Sequence, residues 1–231
     1  MSVKTNSICF SESGITVNGL IPIEAKDDEF DLLMSIYNDA SMQVLKLLNG
    51  VRDGYYQHFN RKVIDHVTSR IKTKDSILAK MKKKNLQLTY QNLIENINDI
   101  AGVRVVCATK EDVYSISKII EKIPNWNLLK TKDYIKNPKK SGYSGYHMVI
   151  EVPVKINNVS GKVSLKNQIF VKVEIQLRTM AMDFWAANEH RMKYKTNKKL
   201  SFFNSKRLAI YAKILNVIDN RFNEIGKKQQ I

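Results

Sequence analysis

Hydrophobic side chains recur along the chain at two spacings, one typical of α-helices and the other of β-strands. From residue 28 they return every three or four positions behind acidic residues, which predicts a helix that ends near Asn49-Gly50. The alternative is that a second helix continues it through the Tyr55-Tyr56 region. From residue 168 to residue 178 they occupy every second position, which predicts a strand with one apolar and one polar face. The polar positions on that strand are Lys172, Glu174, Gln176 and Arg178.

The same spacings predict a succession of further elements. Strands are expected at 67–72, 100–108, 126–135 and 148–156, and helices at 76–84, 93–97, 111–123, 179–195 and 200–222. The helix at 179–195 is expected to bury Met180, Phe184, Trp185, Ala187 and Met192. This order is typical of an α/β (α+β) protein, with a mixed β-sheet flanked by helices. We predict one domain at 28–199, an N-terminal arm at 1–27, and a C-terminal helix at 200–231 that packs on the domain or on a partner.

Charge changes the picture, because the formal net charge of the chain is +16. Such an excess indicates a polyanionic partner, either a nucleic acid or an anionic membrane surface, unless it only reflects a lysine-rich composition. Basic residues gather at the ends of two predicted helices. These candidate RNA-binding residues are Lys80, Lys82, Lys83, Lys84, Arg191, Lys193 and Lys195.

The spacing of the cysteines and the short length of the apolar runs argue against a zinc site and against a membrane-spanning segment. Cys107 lies in an apolar run, so it is expected to be a small buried side chain, and no cysteines and histidines have the spacing of a zinc site. No run is long enough to span a membrane, and no segment resembles a cleavable signal peptide. We therefore expect a cytoplasmic protein that does not associate with membranes.

A basic, glycine-containing loop between two predicted strands, at 132–147, is a candidate ligand site. Its glycines allow a ligand to approach the backbone, its lysines supply positive charge, and Tyr143 offers a ring on which a base can stack. A nucleotide or the end of a nucleic acid would suit such a loop. The alternative is a β-hairpin connection whose glycines serve only the turn.

This loop is one of four segments that follow one another along the chain and that can be interpreted together. They are Arg70-Ile71-Lys72 before a capped helix, residues 99–104 at a strand, the loop from Lys139 to His147, and residues 173–179. Together they resemble the synthetase domain of the RelA/SpoT family, in the single-domain form of the small alarmone synthetases. The resemblance implies a fold related to nucleotidyltransferases and the transfer of the β,γ-pyrophosphate of ATP to a ribose 3′-hydroxyl.

The resemblance also implies roles for individual residues. Asp99 and Glu174 match carboxylates that bind Mg²⁺, and Glu174 also matches the proposed base for the 3′-hydroxyl. The residues that match ATP contacts are Arg70 and Arg104, on the two faces of the adenine, and Lys72, Ser76 and Lys139, at the phosphates. The residues that match acceptor contacts are Tyr143, which stacks on the base, and His147, Gln176 and Arg178.

The loop departs from the family pattern at one position that bears on the acceptor. Ser144 follows Tyr143, where the synthetases of guanosine nucleotides usually have an arginine. This departure and the charge of +16 resemble the toxic branch of the family, which modifies the 3′-terminal adenosine of tRNA. We therefore expect a tRNA acceptor and an antitoxin protein as partners. Synthesis of guanosine tetra- and pentaphosphate from GDP or GTP is the alternative, and a non-catalytic RNA-binding module is a third reading.

Overall fold

The strands of the chain pair into two sheets, and helices pack on the larger one. The computed structural model describes residues 7–11, 14–18, 22–23, 27–155, 168–195 and 202–228. The strands are β1 (Ser7–Ser11), β2 (Gly14–Asn18), β3 (Ile64–Ile71), β4 (Ala101–Cys107), β5 (Asn127–Asp133), β6 (Tyr146–Lys155) and β7 (Gln168–Thr179). The helices are α1 (Asp27–Phe59), α2 (Lys74–Lys83), α3 (Tyr90–Asn96), α4 (Lys110–Glu121), α5 (Met180–Lys195) and α6 (Phe202–Lys228). The predicted mixed α/β class is confirmed.

The larger sheet has the strand order β3-β4-β7-β6-β5. Only β4 and β7 run parallel in it, and the other neighbours are antiparallel. The apolar residues of the central strand β7 are buried, as the period of two predicts, and α1 contacts β7 together with β3, β4 and β6. One face of the sheet thus forms the core with α1, and the other face carries the polar residues.

Part of the predicted N-terminal arm also has regular structure. β1 and β2 pair as an antiparallel hairpin that contacts β7. Further along, the Ile23 amide donates to the carbonyl of Leu88, and the Ile23 side chain is fully buried in the core. The end of the segment assigned to the arm therefore packs with the domain.

The first helix is longer than predicted, because α1 continues through Gly50 and Gly54 to Phe59. A single glycine inside a helix costs only about 1 kcal/mol relative to alanine. Leu48 is fully buried and Val51 packs against the core, so apolar contacts continue across Gly50 and offset that cost. The predicted end near Asn49-Gly50 is therefore wrong.

Gly50→Ala is expected to raise the free energy of unfolding by about 0.4–1 kcal/mol. A Cβ atom at this position would meet no atom within 4 Å, and alanine restricts the unfolded chain more than glycine does. Urea unfolding of the two proteins, followed by circular dichroism, measures the difference. A loss of stability would show that Gly50 relieves a strain in α1.

Helix α5 was predicted to bury five apolar residues, and the prediction is correct only for Trp185. Trp185 is buried, but Met180 is 54% exposed, Phe184 is 62% exposed, and Ala187 and Met192 are also exposed. The reason is that α5 contacts β4, β7 and α6 on one side only, while apolar residues are spread around the helix. α6 behaves similarly: Leu208 is buried, whereas many of its other apolar side chains are exposed.

Two further expectations concern single features. Cys107 is fully buried as predicted, and burial raises the pKa of its thiol. None of the described helices combines the length and the apolar character that crossing a membrane requires.

Candidate active site

The register of the sheet places polar residues from neighbouring strands side by side. Gln176 on β7 lies opposite Arg104 on β4 and opposite His147 on β6. Two residues earlier on β7, Glu174 lies opposite Gly102, and Gly102 in turn pairs with Arg70 on β3. Because side chains two positions apart share a face, the polar residues of these strands gather on one side of the sheet.

Three adjoining cavities of about 490, 430 and 270 Å³ lie on this face, and Gln176 lines all three. Arg70 and Arg104 both line the largest and the smallest of them. Asp99 and Glu174 both line the 430 Å³ cavity and the 270 Å³ cavity. The structure thus brings together the two arginines and the two carboxylates that the sequence singles out.

Asp99 lies immediately before β4 and is held by two lysines. Lys72 Nζ lies 2.6 Å and Lys80 Nζ 2.7 Å from Asp99 Oδ2. Burial raises the pKa of Asp99, but the hydrogen bonds from these lysines outweigh it and leave the pKa below its usual range. The other oxygen, Oδ1, is buried and has no hydrogen-bond partner within the described part of the chain. Asp99 is therefore an ionised carboxylate with one oxygen available.

Helix α2 carries Lys80, and Lys72 lies just before its N-cap residue. The hydroxyl of Thr73 accepts a hydrogen bond from the Ser76 amide, as an N-cap does, and Lys80 follows one turn after Ser76. The Ser76 side chain is exposed in the first turn, where its hydroxyl accepts from Thr73. The sequence predicts that the segment 73–76 caps a helix at 76–84, and in the structure Thr73 is the N-cap and the helix begins at Lys74.

Glu174 is held by two hydrogen-bond partners, His147 and Gln176. His147 Nδ1 lies 3.2 Å from Glu174 Oε1, and Gln176 Nε2 donates to Oε2 at 2.7 Å. Burial raises the pKa of Glu174, but the hydrogen bonds from His147 and Gln176 outweigh it, so the pKa lies below its usual range. Glu174 is therefore ionised at neutral pH.

The ring of Tyr143 is not exposed at the tip of its loop but is 92% covered, with 8% exposure. Lys139 Nζ lies 4.7 Å from the ring centroid and 4.6 Å from that of Tyr134. Trp185 meets the Tyr143 ring edge-on at 6.4 Å. Lys139 therefore covers one face of the Tyr143 ring, and a base that stacks on that face would displace the ammonium group.

The loop that carries Tyr143 connects the antiparallel strands β5 and β6, so it is also a hairpin connection. Its start is fixed by Asp133, whose Oδ1 accepts from the amides of Ile135 and Lys136. Its far side lies against α6. Gly142 has a φ of +94°, and a Cβ atom there would lie 2.5 Å from Cβ of Ala212. Glycine is required at this position for both reasons.

Two residues that the sequence reasoning missed also contribute. Asp183, in the first turn of α5, accepts from Arg178 Nη1 at 3.0 Å and lies 3.4 Å from Arg104 Nε. Tyr134 meets His147 edge-on at 5.3 Å and shares Lys139 with Tyr143. For Asp183 the only signal was an acidic residue at the start of a predicted helix. For Tyr134 the only signal was its position within the loop at 132–147.

The predicted RNA-binding residues whose side chains the structure describes lie on α2 and α5. Lys80 lies in the candidate active site, and Lys84 donates to the carbonyl of Asn96 and lines the same cavity. Lys82 and Lys83 are exposed on α2, and Arg191 is exposed on α5 and donates to Asn188. The side chains of Lys193 and Lys195 lie outside the described residues. Lys80 is therefore better assigned to the site than to an outer RNA-binding surface.

Comparison with known proteins shows which family the chain resembles. A family model described as the region found in RelA / SpoT proteins matches residues 69–199. The GTP pyrophosphokinase YwaC of Bacillus subtilis (strain 168) is 33% identical over 206 residues, which cover 89% of this chain and 86% of that protein.

Solved structures give the same result. Small alarmone synthetase 1 from Bacillus subtilis, bound to its product pppGpp, has a TM-score of 0.79 at 29% identity and covers 89% of this chain and 100% of that one. The same synthetase bound to AMPCPP has a TM-score of 0.72 at 25% identity, with coverage of 88% and 99%. The chain therefore belongs to the RelA/SpoT family, among the small alarmone synthetases, and is a pyrophosphokinase.

Proposed function

We propose that this pyrophosphokinase transfers the β,γ-pyrophosphate of ATP to the ribose 3′-hydroxyl of GDP or GTP. One observation supports this acceptor most strongly: a synthetase whose bound product is pppGpp matches 89% of the chain at a TM-score of 0.79. YwaC, which covers nearly the same length, is a GTP pyrophosphokinase. The tRNA acceptor predicted from the sequence becomes the second candidate.

The donor side of the site suits ATP. The guanidinium groups of Arg70 and Arg104 line a common cavity, and planar cations of this kind stack well on an adenine. Lys72 and Lys80 are placed to contact the phosphates, and Ser76 lies at the start of the same helix. An ATP analogue, AMPCPP, is bound by the structurally similar synthetase.

The residues fit a Mg²⁺ ion that keeps nucleotide phosphates among its ligands. Asp99 Oδ1 is buried without a hydrogen-bond partner among the described residues, and Glu174 lines the same cavities. Mg²⁺ commonly binds one or two carboxylates and takes its other ligands from phosphates and water. Asp99 and Glu174 would hold the ion, which would supply charge neutralisation at the phosphates.

The acceptor side lies next to these carboxylates. The base would stack on Tyr143 once Lys139 has left the ring, and His147, Gln176 and Arg178 surround the catalytic carboxylate. The 3′-oxygen attacks the β-phosphorus of ATP, the bond from that phosphorus to the oxygen bridging to the α-phosphorus breaks, and AMP leaves. Glu174 takes the proton of the 3′-hydroxyl, a role that an ionised carboxylate can fill.

Two sequence features favour the second candidate, which is the 3′-terminal adenosine of tRNA. The net charge of +16 would favour a polyanion by counterion release, and Ser144 lacks the charge that an arginine would offer to the phosphates of a free nucleotide. Under this reading the protein would inhibit translation and an antitoxin would restrain it.

An acceptor assay separates the candidates. The purified protein is incubated with γ-³²P-ATP and, in separate reactions, GDP, GTP or deacylated tRNA. Label is expected in guanosine tetra- and pentaphosphate. Label only in tRNA would replace the first proposal by the second, and RNA binding without any transfer would support a non-catalytic module.

The matched variants for this assay are Asp99→Asn and Asp75→Asn. Asp99→Asn removes the charge that faces Lys72 and Lys80, whereas Asp75 is exposed on α2. Transfer is expected to fall at least about 100-fold in the first variant and to stay unchanged in the second.

A further inference from the structure

Five side chains of the site form a closed circuit of hydrogen bonds. One branch runs from Arg178 Nη2 to the Tyr143 hydroxyl (2.7 Å), from that hydroxyl to His147 Nε2 (2.5 Å), and from His147 Nδ1 to Glu174 Oε1 (3.2 Å). The other branch runs from Arg178 Nη2 to Gln176 Oε1 (2.8 Å) and from Gln176 Nε2 to Glu174 Oε2 (2.7 Å). We call this set the Glu174 circuit.

Arg178 and Glu174 fix the direction of the hydrogen bonds at the two ends of the Glu174 circuit. The guanidinium of Arg178 can only donate, and the ionised carboxylate of Glu174 can only accept. Gln176 therefore accepts through its carbonyl oxygen and donates through its amide nitrogen. Both branches end in a donor to Glu174.

The same reasoning fixes the histidine tautomer. The Tyr143 oxygen accepts from Arg178, and its single proton must then go to a second acceptor, for which His147 Nε2 lies at 2.5 Å. Burial raises the pKa of Tyr143, so the phenol keeps this proton at neutral pH. Nε2 of His147 thus accepts from Tyr143, and Nδ1 donates to Glu174.

We propose that the Tyr143 hydroxyl is a positioning group, which fixes His147 as its Nδ1–H tautomer and so aims the Glu174 carboxylate at the acceptor hydroxyl. This role rests on the proposed function and is separate from stacking, because the ring meets the base while the hydroxyl points into the circuit. Burial of both Tyr143 and Arg178, at 8% and 5% exposure, keeps water from replacing either partner.

The tautomer itself can be measured without any substrate. Long-range ¹H–¹⁵N spectra of ¹⁵N-histidine-labelled protein report which nitrogen of each of the four histidines carries a proton. Loss of one signal set in His147→Asn assigns His147. The wild-type protein is expected to show the Nδ1–H form, and Tyr143→Phe a mixture with the Nε2–H form. An Nε2–H form or an imidazolium in the wild-type protein would overturn the proposal.

Kinetics test the consequence for transfer. Tyr143→Phe keeps the ring, so the acceptor KM is expected to stay within about twofold, while kcat falls about 10- to 100-fold, the value of one hydrogen bond to a charged group. Tyr143→Ala removes the ring as well and is expected to raise the acceptor KM. A Tyr143→Phe enzyme with full kcat would show that the hydroxyl positions nothing.

A double-mutant cycle separates positioning from a general loss of packing. The amide of His147→Asn can donate to Glu174 without help from Tyr143, so adding Tyr143→Phe in that background is expected to cost no further kcat. Additive losses would contradict the proposal. If the acceptor assay shows no transfer at all, the proposed function fails, and the tautomer measurement still decides whether the Tyr143 hydroxyl fixes His147.

Discussion

Glu174→Gln is expected to lower kcat for pyrophosphate transfer about 100- to 10,000-fold, the range that a positioned base supplies. The amide has the shape of the carboxylate but cannot take the proton of the 3′-hydroxyl. Its single NH₂ group must also face either His147 Nδ1 or Gln176 Nε2, each of which donates to one oxygen of the native carboxylate. Steady-state rates at saturating ATP and GTP, with thermal unfolding as a check on the fold, measure the effect.

The matched control for this variant is Glu224→Gln. Glu224 is exposed near the end of α6, so the same chemical change should leave kcat unaltered. If Glu174→Gln retains more than about a tenth of the wild-type kcat, another group takes the proton, and Glu174 acts only in binding.

Gly142→Ala is expected to destabilise the protein by about 2–5 kcal/mol and to abolish most transfer. The φ of +94° costs an alanine about 1–3 kcal/mol, and its Cβ would lie 2.5 Å from the Cβ of Ala212 and 3.2 Å from the Cα of Ala209. The loop and α6 would have to separate, which would displace the neighbouring Tyr143. Urea unfolding and the acceptor KM measure the two consequences.

Two comparisons isolate the cause of this effect. Gly50→Ala is the same substitution in open space within α1 and is expected to stabilise. Adding Ala212→Gly to Gly142→Ala removes the closest contact and is expected to recover part of the acceptor affinity, although not the cost of the backbone conformation. Equal affinity in the single and double variants would show that contact with α6 does not position the loop.

Features encoded by a few neighbouring residues could be predicted from the sequence. The alternation along β7 identified the polar face that carries Glu174 and Gln176, because a strand reverses its side chains at every residue. Thr73 identified the start of α2, because an N-cap depends only on the next turn. The roles of Asp99, Glu174, Arg70 and Arg104 came instead from the resemblance of four ordered segments to the RelA/SpoT family, and the structure brings these four residues to one set of cavities.

Features that depend on neighbours distant in the sequence could not be predicted. Gly50 would end α1 by local preference, but packing on the sheet carries the helix onward. Phe184 follows the apolar pattern of α5, but no element of the described chain covers it. Tyr143 has the sequence context of an exposed loop, and its burial follows from contact with Trp185. The end of a helix and the burial of a side chain can depend on contacts with other elements. The residue pattern within one element carries no information about those contacts.

The parallel pairing of β4 with β7 has a consequence for synthesis of the chain. Ala101 pairs with Val173, 72 positions further on, so the central pair of the sheet joins segments that leave the ribosome far apart in time. Closing such a separation carries a large loop entropy, and non-local pairs form late in folding. A nascent chain that ends before β7 would already contain Arg70, Lys72 and Asp99 but would have no Glu174. The residues proposed to bind ATP would thus be made first, and the proposed base would arrive only with the last strand.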